Sequence, residues 1–184
     1  MSRLQLENTG LIIIDIQGKL ARLVHDSEHF IKRSEKLVMG AKVLELPIVL
    51  VEQNSEKLGS TITELSRHLS TVNPINKFTF DACLTPSFVS ALQNEAYQHI
   101  DNWLVCGIEA HICVFQTTMG IKQLGYHVEV VSDCISSRNG EHVKLALSRL
   151  ASNGIEITNL EMCLYELLKD CRHESFKEVL TLIR

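Results

Sequence analysis

Residues 11–15 read Leu-Ile-Ile-Ile-Asp, four apolar residues closed by a charge. A strand with one wet face alternates apolar and polar side chains, whereas an unbroken branched run suits a strand buried on both faces of a parallel sheet. Ile48-Val-Leu-Val51, Trp103-Leu-Val-Cys-Gly107 and His127-Val-Glu-Val-Val-Ser132 read as further strands, and Val72–Phe78 and Ile155–Thr158 bring the number to six. Pro74 has no amide hydrogen to give to a ladder, so the Val72–Phe78 strand belongs at an edge.

Helical periods fill the intervals. Phe30, Ile31, Leu37, Val38, Ala41, Leu44 and Leu46 recur at three- and four-residue spacing until Pro47 stops them. Gly59-Ser-Thr61 opens a short helix through Leu65 and Leu69, and Thr85-Pro86 supplies an N-cap and first helical residue for one through Phe88, Leu92 and Tyr97. Helices are predicted over about 111–124, with Gly125 as left-handed C-cap, over about 141–151, and over 161–168 and 175–183. Strands alternating with helices predict an α/β fold: a six-stranded parallel, doubly wound sheet of order 3-2-1-4-5-6 with helices on both faces. A length of 184 residues suits one domain spanning 1–184.

Composition narrows the function. The chain is 45% hydrophobic and 22% charged, and a domain of this size buries roughly two thirds of its unfolded surface without a disulfide or metal staple. A net charge of −4 offers no basic stripe for a nucleic acid or an anionic membrane. Residues 1–10 lack the apolar stretch of a signal peptide, and no apolar run is long enough to span a bilayer. The six cysteines, at 83, 106, 113, 134, 163 and 171, include no Cys-x-x-Cys pair. A reduced cytoplasmic protein is expected. Neither a Gly-x-Gly-x-x-Gly after the first strand nor a phosphate-binding Gly-x-x-x-x-Gly-Lys-Ser/Thr occurs, so no nucleotide cofactor is expected.

In doubly wound sheets ligands bind beyond the carboxyl ends of the strands, between strands 1 and 4. Three polar residues converge on that edge: Asp15 after strand 1, Lys77 at the end of strand 3 and Cys113 six residues after Gly107. A carboxylate that takes a thiol proton and a cation that offsets the thiolate make an activated-nucleophile site. Placement at a helix start is expected to lower the Cys113 pKa through the macrodipole.

Four segments resemble the isochorismatase-like cysteine hydrolase family, which includes isochorismatases, nicotinamidases and N-carbamoylsarcosine amidohydrolases. Leu11-Ile-Ile-Ile-Asp-Ile-Gln17 is similar to its Asp-x-Gln opening and Asn76-Lys-Phe-Thr-Phe80 to its lysine segment. Gly107-Ile-Glu-Ala-His-Ile-Cys-Val-Phe-Gln-Thr117 resembles its nucleophile segment, and Asp133-Cys-Ile-Ser-Ser-Arg138 a later signature. The resemblance implies Cys113 as nucleophile, Asp15 as general base and Lys77 as electrostatic partner. It also implies a cis Ile108–Glu109 peptide, with the backbone N–H groups of Glu109 and Cys113 forming an oxyanion hole. Gln17, Gln53, Phe78, Phe80 and His111 are the candidate substrate contacts, and a dimer or larger homo-oligomer is implied, with Phe176–Ile183 a candidate contact.

One departure matters. Where nicotinamidases hold a metal with histidines, this chain reads Val51-Glu-Gln-Asn-Ser-Glu-Lys-Leu-Gly59 with no histidine, so no metal is expected. The Gln53-Asn54, Leu58-Gly59-Ser-Thr61 and Glu64-Leu65 pattern resembles the isochorismatase domain-containing branch instead. A retained Cys113 favours hydrolysis of a small-molecule amide or similar acyl C–N bond through a thioester. A vinyl-ether hydrolase, a non-catalytic scaffold and a redox sensor pairing Cys113 with Cys106 stand as alternatives.

Overall fold

Every residue of the first strand, β1 (Thr9–Ile14), is buried, as its unbroken apolar run requires. The computed structural model describes residues 4–184, so the first three residues of the expected 1–184 unit lie outside it. After β1 come α1 (Leu20–Leu23), α2 (Ser27–Val43), β2 (Ile48–Gln53), α3 (Ser55–Leu58), α4 (Thr63–Ser66), β3 (Ile75–Lys77) and α5 (Pro86–Leu92). The second half holds β4 (Asn102–Ile108), α6 (Phe115–Gln123), β5 (His127–Ser136), α7 (Gly140–Ser152), β6 (Glu156–Thr158), α8 (Leu160–Leu168) and α9 (Phe176–Ile183). The six strands form one sheet in the order β3-β2-β1-β4-β5-β6, with every neighbouring pair parallel.

Alternate residues of β1 feed two cores. Leu11 and Ile13 pack with residues of α2, α8 and α9 on one face, and Ile12 and Ile14 with residues of α5, α6 and α7 on the other. Each fully buried Leu or Ile contributes roughly 1.5–3 kcal/mol, so the central strands carry much of the stability. The C-terminal segment offered as an oligomer contact is used internally: Val179 of α9 is buried and Phe176 and Ile183 pack on the first core. No helix among the described residues is long and apolar enough to cross a membrane.

Four elements differ from their sequence reading, and the first three differences shape the sheet edge. β3 is only three residues long and begins after Pro74, which has no amide hydrogen for the ladder. β5 runs past Ser132 to Ser136, because the register with β4 shifts between Val105 and Gly107 and lets Ile135 and Ser136 pair with Gly107 and Ile108. The predicted helix over 111–124 divides into a wide turn, Ala110–Val114, and α6. Helix α5 starts at Pro86 as expected but ends at Leu92, short of Tyr97.

Where β4 passes β1 at the switch point, Gly107 has φ 132, and a Cβ there would lie 2.0 Å from the Ile14 carbonyl oxygen. Only glycine lets the two backbones come this close. Gly107→Ala is expected to cost roughly 2–5 kcal/mol from the clash and the left-handed backbone together. Gly125, with φ 96 and open space around it, is the control: its alanine variant meets only the backbone term of ~1–2 kcal/mol. Urea unfolding of the two variants tests the difference.

The sheet also buries one acid away from this edge. Glu129 in β5 pairs in register with Glu156 of β6, and burial, then the charges of Glu166 and Glu156, push its carboxyl up to about 7. Between its unfolded value near 4.5 and its folded value near 7 the folded state holds more protons, so stability falls as pH rises through that window. Glu129→Gln should therefore raise Tm more at pH 8 than at pH 5, by on the order of 5 °C, in thermal melts.

Candidate active site

Asp15 follows β1 with φ 56, a left-handed conformation that aspartate tolerates better than most residues. Its amide donates to the Val51 carbonyl at 3.1 Å and its carbonyl accepts from the Gln17 amide at 2.8 Å, so the turn is fixed from both sides. The carboxylate is 2% exposed, and its Oδ2 accepts from Lys77 Nζ at 2.8 Å. Lys77, the last residue of β3, reaches past β2 and also donates to Gln53 Oε1 at 2.7 Å and the Thr79 carbonyl at 3.2 Å. Three acceptors match the three donors of the ammonium. Asp15 Oδ1, by contrast, is buried with no hydrogen-bond partner among the described residues. Burial raises the Asp15 carboxyl above its ordinary value even though Lys77 pulls it down, which makes it a better proton acceptor.

Cys113 enters from the far side of β1. The Ile108–Glu109 peptide after β4 is cis, as the resemblance implies. The wide turn then forms on the Glu109 carbonyl, which accepts from Ile112 N at 3.0 Å and from Val114 N at 3.3 Å. Wide turns of this kind recur at functional sites. The Cys113 thiol is buried against Asp15 and Lys77, both of which act on its ionisation. Burial, then the charge of Asp15, pushes it up to about 12, against a smaller opposing pull from Lys77. The expected macrodipole effect is overridden: Cys113 lies in the wide turn ahead of α6, and at neutral pH the thiol keeps its proton.

The expected substrate contacts disperse. Gln17 is fully buried, its amide exchanging bonds with the backbone of Gln53 at 2.6 and 3.2 Å and donating to the Gly59 carbonyl at 2.6 Å. No donor is left over, so Gln17 braces the loop rather than facing a ligand. Gln53 holds Lys77 through Oε1 and the Phe78 carbonyl through Nε2. Phe78 and Phe80 stand 69% and 56% exposed rather than enclosed. His111 bonds Ser137 Oγ through Nδ1 at 3.0 Å and packs on His142 with ring centres 4.3 Å apart. Burial lowers the His111 pKa, the opposing pull of Glu109 notwithstanding, which leaves the ring neutral near pH 7.

Cys106 lies in the core on the α2 face and Cys113 in the core on the α6 face, so the sheet separates them and the proposed redox pair does not form. Among the described residues no three His, Cys, Asp or Glu side chains gather as a metal ion would need. Glu52, at the head of the histidine-free loop, is buried and accepts from Thr61 N and Oγ1, both at 2.7 Å. Sequence reading missed the Glu109 carboxylate, which Arg138 holds through Nε at 3.2 Å and Nη2 at 3.1 Å. Both residues stood in recognised motifs, but nothing in a 29-residue separation announces a contact.

The family model of the isochorismatase domain matches residues 9–162. The chain is 32% identical to the secreted isochorismatase effector Isc1 of Phytophthora sojae, covering 100% of this chain and 88% of that protein. It is 30% identical to isochorismatase domain-containing protein 2 of Xenopus laevis, over 100% of this chain and 87% of that one. Among solved structures it resembles the MAR1 ribonuclease of Caenorhabditis elegans with a TM-score of 0.90 at 31% identity, covering 99% of this chain and 92% of the other.

Removing Lys77 would leave a buried carboxylate without its counter-charge, which typically costs ~3–5 kcal/mol. Lys77→Met is expected to lose about that much in urea unfolding. The double variant Asp15→Asn/Lys77→Met is expected to lose less than the sum of the singles, because neither charge is then stranded.

Proposed function

The chain belongs to the isochorismatase family, whose fold is that of a hydrolase, and from that membership we propose that it is a cysteine-dependent hydrolase of a small, uncharged amide or similar acyl C–N bond. The observation that carries this reading is geometric: Asp15 Oδ1, with no hydrogen-bond partner among the described residues, is buried beside the Cys113 thiol. In the proposed mechanism Cys113 Sγ attacks the carbonyl carbon as its proton passes to Asp15. The backbone N–H groups of Glu109 and Cys113 receive the oxyanion, where one such donor is typically worth ~10²–10³ in rate. The C–N bond then breaks and the leaving nitrogen takes the proton from Asp15. Water attacks the resulting thioester, gives its proton to Asp15, and the C–S bond breaks. The departing sulfur regains that proton, so amide and water become acid and amine with the enzyme unchanged.

Charge supports a neutral substrate. Lys77 is matched by Asp15, Arg138 by Glu109, and the thiol is neutral at rest. Isochorismate, a vinyl ether carrying two carboxylates, would ask for cations that this site has already spent on its own acids. RNA, the substrate class that the ribonuclease names of several similar structures suggest, would ask for more, and the net charge of −4 points the other way. All six cysteines are unpaired, which supports a reducing, cytoplasmic setting, and exposed Phe78 and Phe80 of the lysine segment, with Leu84 just after it, support a homo-oligomer.

A panel of small primary amides assayed with wild type and Cys113→Ala tests the reading. Turnover is expected to fall at least ~10³-fold in the variant with the fold retained by circular dichroism. Turnover unchanged by Cys113→Ala would overturn it. Site-resolved mass spectrometry adds a test of charge: the ratio of iodoacetamide to iodoacetate labelling should be higher at Cys113 than at exposed Cys171. Equal ratios would remove the case for a neutral substrate.

A further inference from the structure

We propose that Ser137 and Arg138, on the chain running on from β5, are positioning residues: they form a latch that holds the Cys113 turn in its reactive geometry. This inference rests on the hydrolase reading and gives a task to the Asp133–Arg138 signature, which the mechanism itself leaves idle. The latch exists because β5 continues beyond the register shift, bringing Ser136 beside Ile108 at the end of β4. From there two ties cross to the nucleophile turn. Arg138 holds the Glu109 carboxylate with its backbone N–H at 3.1 Å and Nε at 3.2 Å on Oε2, and with Nη2 at 3.1 Å on Oε1. Ser137, fully buried, bonds His111 Nδ1 through Oγ at 3.0 Å.

Glu109 links the latch to the turn. Its carboxylate is fixed by Arg138, while its carbonyl accepts the Ile112 and Val114 amides on either side of Cys113. Swinging Glu109 out of place would therefore move the turn that carries the thiol. The latch is pinned in its own right, since the Ser137 carbonyl accepts from His25 N at 2.8 Å and Ser136 Oγ donates to the His25 carbonyl at 2.7 Å. A forked guanidinium on two carboxylate oxygens fixes direction as well as distance, which a lysine cannot do. The Arg138 side chain is 65% exposed, so water screens its half of the pair, but the Glu109 carboxylate it holds is only 9% exposed. The pair also sets geometry, and displacements near 1 Å at a reacting group can lower rates about 10²-fold.

The test is site-resolved alkylation of Cys113 by iodoacetamide, with amide turnover alongside, in wild type, Arg138→Ala, Arg138→Lys and Ser137→Ala. Arg138→Ala should slow Cys113 labelling roughly 10–100-fold. The loss should fall on kcat rather than KM and exceed what any fall in Tm accounts for, with the pH midpoint of labelling unchanged, because burial, Asp15 and Lys77 set the thiol's ionisation. Arg138→Lys should restore part of the rate, and Ser137→Ala should show a smaller loss of the same kind. Wild-type rates in Arg138→Ala, or a rate loss that only follows a fall in Tm, would overturn the latch while the hydrolase reading stood. A wild-type Cys113 no faster than Cys83, whose thiol is also pushed to about 12, would overturn both.

Discussion

The buried pair of Asp15 and Lys77 constrains everything around it. Two opposite charges withdrawn from water lose several kcal/mol of hydration each, and the loss is offset only where geometry and further hydrogen bonds are nearly complete. The surroundings meet that condition on the lysine side, where Gln53 and the Thr79 carbonyl complete the ammonium's shell. On the aspartate side one oxygen has no partner among the described residues. A fold that satisfies a cation fully and an adjacent acid incompletely has set aside one acceptor, and Cys113 lies against it.

Much of the neighbouring sequence serves to keep this pair in place. Gln17 ties β1 to the end of β2 and to Gly59, and Glu52 ties β2 to Thr61, so the loop after β2 is fastened at both ends. Gly107 lets β4 approach β1 closely enough to put the Cys113 turn over the same edge. On the other side Arg138 and Ser137 hold that turn against β5. Lys77 comes from the short edge strand, Asp15 from the centre and the thiol from the crossover beyond, so the site depends on the whole sheet rather than on any one segment.

The resting state is electrically quiet. With the ion pairs matched and the thiol pushed up by burial, the proposed mechanism has the chemistry begin when a carbonyl enters and the proton moves to Asp15, not from a standing thiolate. This contrasts with the expectation drawn from a cysteine at a helix start. A macrodipole acts over one turn and is weak beside the desolvation of a buried thiol facing a carboxylate.

The sequence by itself determined the sheet and its order, because unbroken branched runs, Pro74 and the strand–helix alternation are local signals with few global solutions. It also brought Asp15, Lys77 and Cys113 to one edge, since strand order fixes where strand ends meet. What it did not show was how side chains such as Gln17, Gln53 and Phe78 are held, because their partners depend on which backbone groups lie opposite them. The continuation of β5, the wide turn at Cys113 and the Glu109–Arg138 contact were decided only by tertiary structure. Each arises from register between segments distant in the chain, and no spacing within a segment encodes the atom that another will present to it.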